Sequence, residues 1–123
     1  MNLREYDWQG ASRQNYHYWV SPFYTYFKET PGNYIYAKET PPGSNRWEAI
    51  YIGQSENLSQ RLADHEKEAE AIRLGATHIH AHTSSPDEDV RRAEESDLIA
   101  GLRPPCNERP GLERVLPRRR SRV

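Results

Sequence analysis

The sequence predicts a small mixed α+β domain in which helices flank a three-stranded antiparallel sheet, in the order β-β-α-β-α. Two β-prone segments, 33–39 and 47–53, are joined by a loop rich in proline. A segment of helical periodicity follows, and a short alternating strand then precedes a second helical segment. With 123 residues, 35% of them hydrophobic, the chain has the length of one domain with a small core.

The first two strands are predicted to form a hairpin with a long loop. Segment 33–39 alternates in polarity, and 47–53 is also rich in β-prone residues. The loop between them contains Thr-Pro-Pro-Gly-Ser-Asn at 40–45, and a proline pair cannot continue a hydrogen-bonded ladder. The two prolines therefore set the extent of the loop.

A helix is predicted over about 57–74, on one face of the sheet. Residues that can face a core recur there at helical spacing, at Leu58, Leu62, His65, Ala69 and Ile72. Gly75 follows, and glycine commonly ends a helix in the left-handed conformation.

The third strand and the second helix come next. Segment 77–83 alternates, with Ile79 and Ala81 on one face and three histidines on the other: His78, His80 and His82. The run Ser-Pro-Asp-Glu at 85–88 has the pattern of a helix start, with proline at the first helical position. Two prolines at 104–105 end this second helix after about residue 102.

The chain divides into three parts: an aromatic-rich N-terminal extension (1–30), the α+β domain (31–107) and a basic tail (108–123). We expect the extension to pack onto the domain, and its aromatic residues could alternatively stack on bases. Seven arginines and two glutamates from Arg103 onward give a local charge of +5. The tail is predicted to be disordered, and four of its arginines could contact a phosphate backbone: Arg118, Arg119, Arg120 and Arg122. A solvated terminus without a ligand is the alternative.

Composition excludes several classes of protein. A single cysteine, Cys106, excludes a disulfide framework and a multi-cysteine zinc site. No apolar run is long enough for a signal peptide or a membrane span, so we expect a cytoplasmic protein without a membrane partner.

Two charged groups on predicted helices suggest a functional site. Arg61 lies beside the apolar stripe of the first helix, where a guanidinium needs a partner, either a structural carboxylate or a phosphate. In the second helix both Glu94 and Glu95 fall within the apolar arc, and periodicity does not choose between them.

Five short motifs occur in order along the chain: Gly32-Asn33-Tyr34, Tyr51-Ile52-Gly53, Ser55-Glu56-Asn57-Leu58 followed by Arg61, Glu95-Ser96-Asp97-Leu98-Ile99, and Pro104-Pro105-Cys106-Asn107. Together they resemble the GIY-YIG nuclease family, over about residues 31–107. The resemblance selects Glu95 rather than Glu94 as the functional carboxylate.

The resemblance implies hydrolysis of DNA phosphodiester bonds with one Mg²⁺ or Mn²⁺ held mainly by Glu95. Arg61 would stabilise charge on the phosphate, and Tyr34 and Tyr51 would position the attacking water. One of the tyrosines, most often Tyr51, would act as general base.

The remaining motif residues have supporting roles in this interpretation. His65 could transfer a proton or orient water, or simply pack in the core. Gly53 and Asn107 would support the site, although Asn107 could be only a turn residue.

Two positions depart from the family pattern. Gln54 stands where many members have lysine, which removes a cation beside the phosphate. Asn33 replaces an aliphatic residue of the first motif.

Three functions therefore remain open. The leading one is a metal-dependent endonuclease, and a DNA-binding module with little or no activity is the alternative. A zinc hydrolase built on His78, His80 and His82 is the third; otherwise we expect these three histidines to form a row that faces solvent or DNA. Specificity would come from a protein partner, a homodimer interface or the loop 40–46, and a monomer is equally compatible with the sequence.

Overall fold

A computed structural model describes residues 4–107 of the chain. The strands are β1 (Arg4–Gln9), β2 (Asn15–Pro22), β3 (Gly32–Glu39), β4 (Trp47–Ser55) and β5 (His78–Thr83). The helices are α1 (Leu58–Ala63), α2 (Glu68–Arg73) and α3 (Glu88–Leu102), followed by a 3₁₀ turn at Pro105–Asn107. All strand pairs are antiparallel and form one sheet in the order β1-β2-β5-β3-β4. Within the described residues, no helix has the length and apolar character needed to cross a membrane.

The prediction of a three-stranded sheet is wrong, because the segment expected to be an extension contributes two strands to a five-stranded sheet. β1 and β2 form a hairpin, and β2 pairs with β5 through Trp19 opposite Ala81. Aromatic rings and histidine occupy both faces of β2, so its sequence lacks the polar–apolar alternation that marks a strand.

The turn of this hairpin is attached to α3 through Asp97. The Asp97 carboxylate accepts hydrogen bonds from the Ser12 backbone N–H at 2.8 Å, the Ser12 hydroxyl at 2.6 Å and the Tyr16 hydroxyl at 2.8 Å. Burial and this carboxylate together raise the pKa of Tyr16 to about 12. The hairpin is therefore an integral part of the domain.

Each face of the sheet has its own core. On the α3 face, Trp8, Tyr18, Ile35 and Ile52 pack against Leu98 of α3. The opposite face, the α1–α2 face, is rich in tyrosine and is covered by the two short helices; its buried cluster contains Tyr34, Tyr36, Ile50, Leu58, Leu62, Ala71 and Ile79.

The single helix predicted over 57–74 is two short helices. α1 ends at Asp64, whose backbone is extended (φ −151°, ψ 84°), and the next residue, His65, accepts the backbone N–H of Lys67 through Nδ1 at 2.9 Å. This bond replaces a helical one, and the buried face changes after the break. Ile72 is 47% exposed although the unbroken pattern placed it inside, whereas Ala71 is buried. Gly75 follows α2 with φ +107°, a conformation that L side chains rarely adopt.

The second predicted helix starts two residues later than expected. The cap of α3 is Asp87, whose carboxylate accepts the Asp89 N–H at 2.9 Å, and Ser85 lies before it. Leu102 is its last residue, where the sequence placed the end.

Candidate functional site

Strand pairing places the two motif tyrosines on the α1–α2 face. Tyr34 of β3 lies opposite Gly53, and Tyr36 lies opposite Tyr51 of β4, just before an irregularity in the register. A Cβ atom at residue 53 would overlap the phenol of Tyr34. Gly53 is therefore needed because the Tyr34 ring lies across the strand at that point.

His65 lies among three tyrosine rings. Its ring centroid is 5.4 Å from that of Tyr34, 5.3 Å from Tyr36 and 5.2 Å from Tyr51, with each pair of planes close to perpendicular. The Tyr34 hydroxyl oxygen is 2.6 Å from His65 Nε2. These edge-to-face contacts fix the orientation of all four rings.

The hydrogen bonds of His65 determine its tautomer. Since Nδ1 accepts the backbone N–H of Lys67, the proton of the neutral ring is on Nε2, which donates to Tyr34. Burial and the nearby Arg61 guanidinium lower the pKa of His65 to about 4, so the ring is neutral at pH 7. Neither nitrogen is free to accept a proton from water in this arrangement, and His65 is placed to orient Tyr34.

Arg61 projects from α1 into an open cleft of about 430 Å³ and is paired with Glu66. The two guanidinium nitrogens donate to the two carboxylate oxygens at 2.7 and 2.8 Å. This pairing lowers the pKa of Glu66 to about 2. The side chain of Arg61 is still 33% exposed. The other residues that line the cleft are Ser55, Glu56, Asn57, Gln60 and Asp64.

The two adjacent glutamates of α3 have different surroundings. Glu94 is buried and accepts hydrogen bonds from the Tyr18 hydroxyl at 2.6 Å and from His82 at 2.7 Å. Glu95 is partly buried and makes no hydrogen bond or ion pair within residues 4–107. Burial raises the pKa of the Glu95 carboxyl, with Arg92 opposing the shift. Its charge is therefore desolvated and poorly compensated.

Tyr34, Tyr51, Arg61 and Glu95 belong to one region, because the charges of Arg61 and Glu95 both act on the ionisation of the two tyrosines. Burial raises the pKa of both tyrosines, the Glu95 charge adds to the rise, and the Arg61 guanidinium opposes it. At neutral pH both tyrosines are therefore phenols unless further positive charge is present.

Asn107 is hydrogen-bonded to the middle residue of the Tyr51-Ile52-Gly53 motif. Its Oδ1 accepts the Ile52 N–H at 2.7 Å, and its Nδ2 donates to the Ile52 carbonyl at 2.9 Å. Because β4 is an edge strand, this side chain satisfies backbone groups that no neighbouring strand pairs.

In comparisons with protein-family models, curated protein sequences and solved structures, no match to this chain was found. The geometry of the described residues therefore carries the functional argument.

Gln54 and Asn33, the two departures from the family pattern, take part in one buried network that the sequence did not predict. The Gln54 side-chain oxygen accepts from Arg91 Nε at 2.8 Å, and Arg91 Nη1 donates to the Ser85 and Pro86 carbonyls. Asn33 donates to the Arg91 carbonyl at 3.0 Å. Gln54 thus joins β4 to the start of α3, on the face opposite Tyr51, and supplies no cation to the candidate site.

The expectation of a histidine row facing solvent or DNA is wrong. His80 is fully buried, and its Nδ1 accepts the indole N–H of Trp8 at 2.9 Å. His82 is bonded to Glu94, and His78 contacts Thr77 and Arg4. No group of three or more His, Cys, Asp or Glu side chains within residues 4–107 is arranged to hold a metal. Each of the three imidazoles therefore interacts with a different set of groups within the protein, and they do not form a common site.

The four tail arginines predicted to bind nucleic acid, Arg118, Arg119, Arg120 and Arg122, lie outside the described residues.

Proposed function

We propose that this chain is a divalent-metal-dependent endonuclease that hydrolyses DNA phosphodiester bonds through a GIY-YIG-type site. One observation carries the proposal. Two phenols, an accessible guanidinium and a partly buried, poorly compensated carboxylate lie in one region, and the guanidinium and the carboxylate both act on the ionisation of the two phenols. These residues come from β3, β4, α1 and α3, so the fold assembles them from distant parts of the sequence.

The surroundings of Glu95 fit a hard divalent cation. A desolvated carboxylate without a hydrogen-bond donor gains most from a nearby positive charge, and burial raises the pKa of Glu95 despite the opposing charge of Arg92. With a single carboxylate, most of the coordination would come from water and the phosphate, as Mg²⁺ and Mn²⁺ commonly accept. The ion would supply Lewis-acid stabilisation of charge on the phosphate.

The tyrosines would orient the attacking water and accept its proton. A phenol can do so only as a phenolate, and burial opposes that form in both Tyr34 and Tyr51. Two groups favour the phenolate of Tyr34. His65 Nε2–H already donates to its oxygen, and the Arg61 guanidinium lies nearby. The Arg61 guanidinium acts on Tyr51 in the same way, and Tyr51 is the more exposed of the two, so either tyrosine can serve as the base. His65 is the positioning residue of Tyr34.

Arg61 would contact the phosphate in place of Glu66. The guanidinium is planar and forms paired hydrogen bonds with carboxylate and phosphate alike, and its position at an open cleft leaves room for the exchange. When the deprotonated water adds to the phosphodiester, the pentavalent arrangement carries more negative charge on the phosphate oxygens than the ground state, so this contact strengthens before the leaving oxygen departs.

The experiment is a cleavage assay with supercoiled plasmid and branched DNA, with Mg²⁺, Mn²⁺ or EDTA. We expect cleavage with either ion and none with EDTA. Arg61→Ala should lower turnover by about 10²-fold while DNA affinity falls only severalfold, because its role is in the transition state. EDTA-insensitive cleavage, or Arg61→Ala cutting as fast as the unaltered protein, would contradict the proposal.

A DNA-binding module with little activity is the second candidate. Gln54 is engaged with Arg91 instead of supplying a cation, and Arg61 is paired with Glu66. DNA binding in EDTA without cleavage under any metal condition would favour this alternative.

The same proposal includes a cytoplasmic location. It also includes a protein partner or a homodimer that confers specificity, and a basic tail that contacts DNA. Removing the residues after Leu116 deletes the arginines at 118, 119, 120 and 122. If they contact DNA, the slope of log affinity against log salt should become shallower by about 3 to 4 units. An unchanged slope would show that the tail makes no contribution.

A further inference from the structure

The α1–α2 face of the sheet is only partly covered by helices. The buried cluster on this face contains residues of β3, β4, β5, α1 and α2 and none of β1 or β2. On β2, His17 and Trp19 are exposed on this side, and Trp19 has 44% of its surface accessible. Where the helical cover ends, a cleft of about 510 Å³ opens between β2, β5, the start of α1 and the segment 25–30.

The cleft has exposed aromatic walls. Trp19 forms one of them, in edge-to-face contact with His17 at 5.4 Å, and Tyr26, which is completely exposed, lies in the segment opposite. Large aromatic side chains are seldom left in water without a binding role when they cluster around a cavity. The remaining wall residues include hydroxyl-bearing side chains: Ser21, Thr25, Thr30 and Thr83.

The charge of the cleft suits an anionic strand. None of its described wall residues is acidic, and Lys28 is among them. Two carboxylates nearby, Glu5 and Asp7, each lie 2.6 Å from a nitrogen of His17. These two carboxylates are therefore paired, and Glu29, between the wall residues Lys28 and Thr30, does not itself line the cleft.

The cleft is held in place and adjoins the candidate site. The carbonyls of Lys28 and Thr30 accept the first backbone N–H groups of α1, from Ser59 at 3.1 Å and Leu58 at 2.9 Å. Leu58 lines this cleft, and its neighbour Asn57 lines the Arg61 cleft. The start of α1 is thus the boundary between the two.

We propose that this cleft binds unpaired nucleotides of the DNA substrate, with bases stacked on Trp19 and Tyr26 and a phosphate beside Lys28. The inference rests on the proposed function and narrows its substrate to DNA with a single-stranded segment next to the scissile bond. Stacking on aromatic rings tolerates any base, and the volume lies in the range of sites that bind small ligands.

The experiment measures binding in EDTA, by fluorescence anisotropy, of a labelled oligothymidylate of about 10 nucleotides, a length typical of such sites. Trp19→Ala and Tyr26→Ala should each weaken binding by about tenfold. Tyr24→Ala is the matched control, because Tyr24 is 84% exposed, immediately precedes the segment 25–30 and does not line this cleft. It should bind the oligonucleotide as the unaltered protein does. Duplex affinity should be unchanged in all three variants.

Three results would overturn the inference. These are undiminished binding by both variants, an equal loss in Tyr24→Ala, and an abasic strand that binds as tightly as oligothymidylate. If Trp19→Ala does not fold, two other variants test the inference. Trp19→Phe keeps an aromatic ring and should retain most of the affinity, whereas Tyr26→Ala should still lose it.

The assay also separates this inference from the proposed function, because binding in EDTA does not depend on hydrolysis. If the protein binds the single strand but cleaves no DNA, only the proposed endonuclease function is overturned. If the protein cleaves DNA but Trp19 and Tyr26 do not contribute to binding of the single strand, only the proposed role of the cleft is overturned.

Discussion

On the α3 face of the sheet, most buried polar side chains are hydrogen-bonded to one another, whereas the α1–α2 face has a buried hydroxyl without a partner among residues 4–107 and a guanidinium at an open cleft. Glu94 accepts hydrogen bonds from both Tyr18 and His82, and His80 accepts one from Trp8. Across the sheet, the Tyr36 hydroxyl is buried without a partner and Arg61 stands at an open cleft. The histidines are most numerous on the α3 face, yet the open cleft with its guanidinium lies on the α1–α2 face.

The α3 face has its own buried group without a hydrogen bond, the Nε2 of His80. That nitrogen carries the proton of the neutral ring, because Nδ1 accepts from Trp8. The Trp47 ring lies 4.4 Å away, centroid to centroid, with its plane at 79° to the imidazole. This perpendicular packing of the two rings partly offsets the cost of burying the donor.

The sharpest test of the comparison uses Glu95 and Glu94, which are adjacent in sequence. Glu95→Gln should lower metal-dependent cleavage by about 10²- to 10³-fold, because the amide cannot balance the charge of a divalent ion. Its stability should be unchanged or slightly raised, since the partly desolvated charge is removed.

Glu94→Gln should have the opposite profile. The amide oxygen can still accept from Tyr18 and His82 but without the negative charge, so both hydrogen bonds weaken; the free energy of unfolding should fall by about 1–3 kcal/mol while folded protein still cuts DNA. Cleavage rates and denaturant unfolding of both variants distinguish the two roles. An inactive Glu94→Gln beside an active Glu95→Gln would show that the functional carboxylate has been assigned to the wrong residue.

A second pair compares two tyrosines on the same strand. Tyr34→Phe removes the hydroxyl that bonds His65 and lies near Arg61, and turnover should fall by about 10²-fold. Tyr36→Phe removes a buried hydroxyl without a partner, so it should retain activity and unfold at the same or a higher denaturant concentration. Equal losses of turnover in both variants would mean that the tyrosine cluster acts only as packing.

Acid stability gives a third test, with a smaller effect. Burial lowers the pKa of His65 to about 4 and of His80 to about 3, from 6.5. The unfolded chain therefore binds protons below pH 6.5 that the folded chain does not. The stabilisation is complete above pH 6.5 and is lost as the pH falls towards these values, with a slope of up to about 1.4 kcal/mol per pH unit for each histidine.

Denaturant unfolding between pH 7.5 and pH 5 (about one unit either side of the ordinary histidine pKa) measures this slope. Replacing either buried histidine with glutamine removes one proton-binding group from the unfolded chain. The free energy of unfolding should then depend less steeply on pH, by the contribution of about one proton. His17→Gln is the control, because the Asp7 carboxylate raises the pKa of His17 and reverses the sign of its contribution. A slope that is the same in all the variants would show that the buried histidines do not titrate as described.

Much of the domain follows from local patterns in the sequence, and the exceptions have physical causes. β3, β4, β5 and α3 were predicted because alternation, helical period and proline positions are local signals. β2 was missed because its two faces are both aromatic, one packed against α3 and one lining a cleft. The break after α1 was missed because a side-chain nitrogen of His65 replaces a helical acceptor, which periodicity cannot register.

The candidate site was predictable in part for the same reason. Tyr34 and Tyr51 can be assigned to one face of the sheet once the hairpin register is known. Glycine is required at position 53, opposite Tyr34, because a Cβ atom there would overlap the tyrosine ring. The Arg61–Glu66 pair could not be foreseen, because residues five apart do not face each other on an unbroken helix. It exists only because the chain turns between them.

That pair provides the smallest effect and the last test. Glu66→Gln should change the free energy of unfolding by less than about 1 kcal/mol, because the Glu66 side chain is 64% exposed and an exposed ion pair contributes little. DNA affinity should rise by about two- to fivefold at low salt, since phosphate no longer competes with a carboxylate for the Arg61 guanidinium.

Glu70→Gln is the matched control for this test. Glu70 lies on α2 and pairs with Lys67 and Arg73 at 3.7 and 3.9 Å, away from Arg61, and removing it changes the net charge equally. If the two variants gain affinity equally, the effect is one of overall charge, and Arg61 does not exchange Glu66 for phosphate. A gain confined to Glu66→Gln, and abolished when Arg61→Ala is added, would place the phosphate at the guanidinium.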